Sequence, residues 1–236
     1  MGKHFVLIHG AWHGGWCWDR VIQALEKTGH TAEAPTLPGM NPGDDRGQVA
    51  FQDYVETIEE TLRSQDAPVV LVGHSSAGFL LQAAAPKASE KIERLVFHNA
   101  FLLPNNMAQF DLVPAEVAQG MTAMAEASPD KSVPVIEDFV RGALLPGEPK
   151  EVQDDLMDRL LPQPLVIFTT KVNTQPFQEL NLPMTYLFCK DDQTPAPYRD
   201  MAHSLPGVDL VEINGGHETL WTNPAHLAET LSRIAG

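Results

Sequence analysis

The chain has 236 residues, 43% of them hydrophobic and 20% charged, with 16 Lys plus Arg against 31 Asp plus Glu and a net charge of -15. That length suits one domain with a full core. So acidic a surface repels phosphate backbones and anionic headgroups, which argues against binding to nucleic acid or to a membrane surface. The opening MGKHFVLIHG carries an apolar run too short for a secretory segment and has no small-residue cleavage site. No stretch approaches the roughly 18 apolar residues of a membrane span. Two cysteines, Cys17 and Cys189, read as buried reduced thiols, not as a bridge, so a cytoplasmic location is expected. The nine histidines are scattered, with no HExxH and no CxxC, and neither a metal nor an organic cofactor is expected.

Strand-like and helix-like segments alternate from the start. Phe5-Val6-Leu7-Ile8 is a short, fully apolar run, as expected of a parallel strand covered on both faces. Residues 17–28 show helical spacing through Val21, Ile22 and Leu25, and Gly29 supplies a stop. A short strand is expected over 31–34, a Pro- and Gly-punctuated loop over 35–47, and an amphipathic helix over 49–63. Val69-Val70-Leu71-Val72 is the most strand-like run, and it passes directly through Gly73-His74-Ser75-Ser76-Ala77-Gly78 into the helical residues 79–85. Further strands are expected at 95–97, 184–189 and 208–213, with a last helix over 224–234. This alternation predicts an α/β domain with a mainly parallel sheet and helices on both faces. Residues 103–178 break the rhythm: they are rich in Pro and Met and read as short helices, clearest over 113–127 and 150–161. They are expected to form a helical cap inserted into a single domain spanning 1–236.

A serine hydroxyl is a poor nucleophile until a base takes its proton, and it must be presented to substrate at a tight strand-to-helix turn flanked by small residues. Gly73-His74-Ser75-Ser76-Ala77 fits that need, with Ala77 small enough for close helix packing. The competing reading makes Ser75 a helix N-cap. Ser76 is the rival nucleophile, but bulky His74 would then stand where a small residue is needed. An orienting acid and then a histidine should follow, each after a later strand. The strand ending at Cys189 empties into Lys190-Asp191-Asp192-Gln193-Thr194-Pro195, which offers two acids, and the strand ending at Ile213 empties into Asn214-Gly215-Gly216-His217-Glu218. His217 is the expected base. His74 should pack or hydrogen-bond beside the turn, and His30, His203 and His226 read as surface residues.

Stabilising a tetrahedral oxyanion takes two backbone N–H groups. One is expected from Ser76, after the nucleophile, and the other from Ala11 in the loop after the first strand. The clustered Trp12, Trp16 and Trp18 read as packing residues. Trp12, His98, Leu103, Met107 and Met124 are the candidates to line a substrate pocket; Leu102, Phe110 and Met121 add to the apolar stock of the cap.

The run FVLIHGAWHGGWCW over residues 5–18, then LVGHSSAG, FCKDDQTP and NGGHETLWTNP, resembles the α/β-hydrolases that include plant methylesterases, hydroxynitrile lyases and small bacterial esterases. The resemblance spans the chain apart from the cap. It implies the α/β-hydrolase fold, selects Asp192 over Asp191 as the orienting acid, and aligns the oxyanion-hole amide with Ala11. Two departures stand out. Related lyases carry a lysine after the catalytic histidine and an acid before the serine, where this chain has Glu218 and His74, so lyase activity is disfavoured. Cofactor-free dioxygenases of the same fold differ around the serine. The expected function is therefore cleavage of a small apolar or aromatic ester, or an amide or carbamate, through an acyl-enzyme on Ser75. The alternatives are lyase-like or oxygenase-like chemistry with His217 as a simple base, or a non-catalytic receptor. The expected partner is a small molecule, with a homodimer left open.

Overall fold

The computed structural model describes residues 2–196 and 198–236. Six strands form one wholly parallel sheet: β1 (His4–Ile8), β2 (Thr31–Glu33), β3 (Val69–His74), β4 (Ile92–His98), β7 (Met184–Cys189) and β8 (Asp209–Ile213), in the order β2-β1-β3-β4-β7-β8. Alternate side chains feed opposite faces. Val6, Ile8, Val69 and Leu71 join one apolar cluster, while Phe5, Leu7, Val70 and Val72 join the other. On the first face, α2 (Phe51–Arg63) buries Tyr54, Val55, Ile58 and Leu62, and α3 (Ala77–Ala84) lies beside it. On the second, α1 (Asp19–Glu26) packs against α11 (Pro224–Ala235) through Val21, Leu25, Leu227 and Leu231. Each such Val, Leu or Ile contributes about 1.5–3 kcal/mol by leaving water. Both cysteines are buried and free. No helix among the described residues is long and apolar enough to cross a membrane.

The chain leaves the sheet after His98 and returns at Met184, so the irregular region is longer than the 103–178 expected from sequence. It holds α4 (Ala115–Ala127), α5 (Glu137–Phe139), α6 (Lys150–Met157), α7 (Val166–Thr169) and α8 (Gln175–Gln178). A two-stranded ribbon pairs β5 (Ser132–Val133) with β6 (Gln163–Pro164). Helix α6 stops short of residue 161 because the Leu161 N–H is drawn away to the Trp12 carbonyl at 2.9 Å, which ties this region to the loop after β1. Two further short helices, α9 (Tyr198–His203) and α10 (Thr219–Thr222), follow β7 and β8.

Candidate active site

The parallel strands end together, and the loops after β1, β3, β7 and β8 meet beyond their carboxyl ends. At the end of β3 the chain must turn at once into α3, and Ser75 takes that bend with φ 54°. A non-glycine residue there costs on the order of 1–2 kcal/mol. Three hydrogen bonds hold it. The Ser75 N–H donates to the His98 carbonyl at 3.2 Å, and the Ser75 carbonyl accepts from Gly78 at 3.1 Å and Phe101 at 3.0 Å. The turn has no room for larger neighbours: a Cβ on Gly78 would sit 2.2 Å from the Phe101 oxygen, and one on Gly10 would sit 2.8 Å from the Ser75 Cβ. The N-cap of α3 is Ser76, without a side-chain cap bond, so Ser75 does not serve as a helix cap.

His217 arrives on the loop after β8. Its Nδ1 lies 2.8 Å from an Asp192 oxygen, at the end of β7. The other Asp192 oxygen accepts from the Thr194 N–H at 2.8 Å and the Thr194 hydroxyl at 2.6 Å, which fixes the carboxylate's orientation. With Nδ1–H donated to Asp192, Nε2 of His217 is the free acceptor. Burial disfavours the imidazolium, but the charge of Asp192, its hydrogen bond and the charge of Glu218 outweigh this and raise the His217 pKa above its ordinary 6.5. Asp192 moves the opposite way: burial pushes its pKa up, but His217 and Thr194 bring it below the ordinary value. The neighbouring acid has a different job. Exposed Asp191 accepts the Gly215 N–H at 3.1 Å, pinning the β8 loop to the β7 loop.

Ser75 and His217 border one cavity of about 520 Å³. No hydrogen bond joins them among the described residues; such contacts tighten when substrate binds. Ala11 and Ser76 border the same cavity. Among the described residues, neither backbone N–H donates to a protein acceptor, so both amides are free for a ligand. The Ser76 hydroxyl is occupied, donating to Gln109 at 2.9 Å.

Two other histidines near the turn, His74 and His9, are kept neutral. Buried His74 donates from Nε2 to the His217 carbonyl at 3.1 Å, and burial followed by the neighbouring His217 charge puts its pKa well below 6.5. Its ring stands 4.7 Å from that of His217. His9 donates from Nδ1 to the Gly10 carbonyl and accepts the Leu37 N–H on Nε2, and burial lowers its pKa to about 4. His74, His217 and Glu218 are the one grouping, among the described residues, whose donor atoms could reach a common metal ion. However, His74 Nε2 and His217 Nδ1 are already committed to hydrogen bonds.

The lining corrects most of the expected substrate contacts. Trp12 does border the cavity, while its indole N–H donates to the Val133 carbonyl at 3.3 Å. His98 does not: its ring is fully buried behind the turn, against His74, and its carbonyl receives the Ser75 amide. Leu103 faces a separate depression of about 610 Å³, because Gln82 clamps its N–H and carbonyl and turns the chain outward. Met107 is not among the residues that border the cavity, and its backbone pairs with Val172 in an isolated antiparallel bridge. Met124, on the outer side of α4, is exposed. Phe110 and Met121 line the cavity with Ile136, Phe139, Leu144 and Phe168. Sequence reasoning missed His13, Glu218, Phe139, Phe168 and Tyr198 as lining residues; they come from segments that meet only through tertiary packing.

The comparisons with known proteins agree with this architecture. Residues 5–230 match the model of the alpha/beta hydrolase family. The chain belongs to that family. It is 30% identical to methylesterase 2 of Arabidopsis thaliana, over 99% of this chain and 96% of that one. It is 27% identical to a carbendazim-hydrolyzing esterase of Nocardioides sp. (strain SG-4G), over 98% and 99%. Among solved structures, an extracellular alpha/beta-hydrolase from a Paenibacillus species superposes with a TM-score of 0.92 at 25% identity, covering 98% of each chain. That protein is described as sharing structural and functional homology with tobacco salicylic acid binding protein 2.

Proposed function

We propose that this hydrolase-family member cleaves small apolar or aromatic esters, with amides and carbamates as the wider class, through an acyl-enzyme on Ser75. The observation that carries the reading is the 2.8 Å pairing of His217 with Asp192 on the cavity that also holds a serine at a left-handed bend. Ser75 Oγ attacks the carbonyl carbon as His217 Nε2 takes its proton. The tetrahedral oxyanion accepts from the Ala11 and Ser76 N–H groups, each worth about 3 kcal/mol in a preorganised site. The leaving group departs with the proton from His217. Water, deprotonated by the same imidazole, then releases the acid. Asp192 fixes the tautomer and stabilises the imidazolium. The segment between β4 and β7 acts as a cap, and its phenylalanines and aliphatic side chains favour an apolar acyl or alkyl group. The esterase names of the relatives support this reading.

The test is a fluorophosphonate probe followed by peptide mapping. Stoichiometric label on Ser75, blocked by Ser75→Ala, is the expected result. Folded wild-type protein that takes no label would overturn the reading. Turnover that survives Ser75→Ala would instead favour His217 acting as a simple base.

A further inference from the structure

His13 and Glu218 form an ion pair at 3.4 Å, with their side chains only 2% and 1% exposed. A pair so deeply buried gives up most of the hydration of both charges, and two apolar residues of similar size would serve stability as well. Its location says more. His13 sits on the loop after β1, and its Nδ1 donates to the Ala11 carbonyl at 2.8 Å. Glu218 follows His217 directly and opens α10, where its carbonyl accepts from Trp221 and Thr222. The ring of His13 is held by a stack on Trp16, with centroids 5.7 Å apart. Both partners border the cavity.

We propose that His13 and Glu218 are positioning residues, forming a charged strut between the loop that presents the Ala11 amide and the loop that presents His217. This inference rests on the hydrolase reading and deepens it. Ala11 and His217 sit on loops after strands at different places in the sheet, and this buried ion pair links the two loops. Two things follow. The hydrogen bond to the Ala11 carbonyl fixes the Ala11–Trp12 peptide, whose N–H donates to Gln163 at 3.0 Å, and so pins the Ala11 Cα from which the Ala11 amide extends. A Glu218 oxygen and nitrogens of His217 and His74 lie within 4.8 Å of one another, so the strut also places a second negative charge beside the base.

The charged groups facing His217 are Asp192 from the β7 loop, Glu218 from its own loop, and His13 from the β1 loop. Neutral His74 at the end of β3, His98 at the end of β4 and Tyr198 of α9 complete its surroundings. Burial opposes charge on both members of the strut. Even so, the Glu218 carboxylate carries the His13 pKa above 6.5, and the nearby His13 brings the Glu218 pKa below its ordinary value. Cys17, the remaining buried group near Glu218, stays a neutral thiol: burial first, then that carboxylate, raises its pKa.

The experiment uses p-nitrophenyl butyrate hydrolysis across pH, with fluorophosphonate labelling run in parallel. In Glu218→Gln the acid limb of kcat/KM should move to lower pH by about one unit, because a negative charge within ~4–6 Å of the base is gone. The plateau kcat should fall on the order of tenfold to a hundredfold, as for a misplaced reacting group. His13→Gln should unfold at lower temperature and turn over more slowly than His13→Gln/Glu218→Gln, since the single change strands a buried carboxylate. Should these variants fail to fold, ¹⁵N NMR of the wild type across pH decides: His13 is expected to titrate above the ordinary histidine pKa. An unmoved limb in Glu218→Gln, a double variant no better than His13→Gln, or a His13 that titrates at or below the ordinary histidine pKa would overturn the strut. If wild-type Ser75 takes no label, it is the hydrolase reading that fails. If it labels normally and the limb stays put, only the strut does.

Discussion

The sheet and the segment between β4 and β7 divide the work of this molecule. The strand ends carry nearly every polar group of the site: Ser75 after β3, Asp192 after β7, His217 after β8, and the Ala11 amide after β1. The intervening segment supplies mostly apolar surface to the same cavity, with Phe110, Met121, Ile136, Phe139, Leu144 and Phe168, and Gln109 as its polar member. On the proposed reading, chemistry is anchored to the ends of doubly covered strands, where a small error in placement would be costly. Fit to the substrate, on the same proposed reading, falls to this intervening segment.

The division can be broken first on the polar side. Ser75→Ala and His217→Ala should each lower kcat for an activated ester on the order of 10⁴-fold or more, with unchanged thermal stability within a few degrees; steady-state kinetics and a melting curve check this. Asp192→Asn should cost about 10²–10⁴-fold in kcat, because the imidazole loses the partner that fixes its tautomer. The sign of its pH effect is definite. Asp192 raises the His217 pKa, and protonated His217 cannot act as a base, so activity falls as pH drops through that raised value. Removing the carboxylate must move the acid limb to lower pH, which a pH–rate profile reads directly.

The apolar side should respond differently. Phe139→Ala is expected to raise KM for an aromatic ester about tenfold while changing kcat much less, the loss of one aromatic contact worth about 1.5 kcal/mol. The smallest effect sharpens the contrast. Leu103→Ala and Met124→Ala should leave both constants within about twofold, since these side chains lie outside the Ser75 cavity.

The same contrast governs what could be read in advance. The strands announced themselves through short apolar runs, and β7 was legible to the residue because Met184–Cys189 is apolar on both faces and bounded by turns. The bend at Ser75 and the histidine after β8 were legible because small residues mark sharp turns in a fixed order along the chain. Distances across the fold were not. Gln82 clamping the Leu103 backbone, Met107 pairing its backbone with Val172, and His13 meeting Glu218 are contacts between residues far apart in sequence. His98 lay at the expected strand end, yet its ring points behind the turn, because its carbonyl is needed to hold the Ser75 amide. Composition made the intervening segment look apolar, but period and propensity could not say which of its side chains face inward.

The proposed route requires a covalent bond at Ser75 during turnover. Acid quenching of the protein in the presence of a slowly deacylating aromatic ester, with mass analysis of the peptides, tests it most directly. An added acyl mass on the peptide containing Ser75, accumulating in Asp192→Asn and absent in Ser75→Ala, is expected. Steady turnover with no acyl adduct at any time point, undiminished in Ser75→Ala, would contradict it.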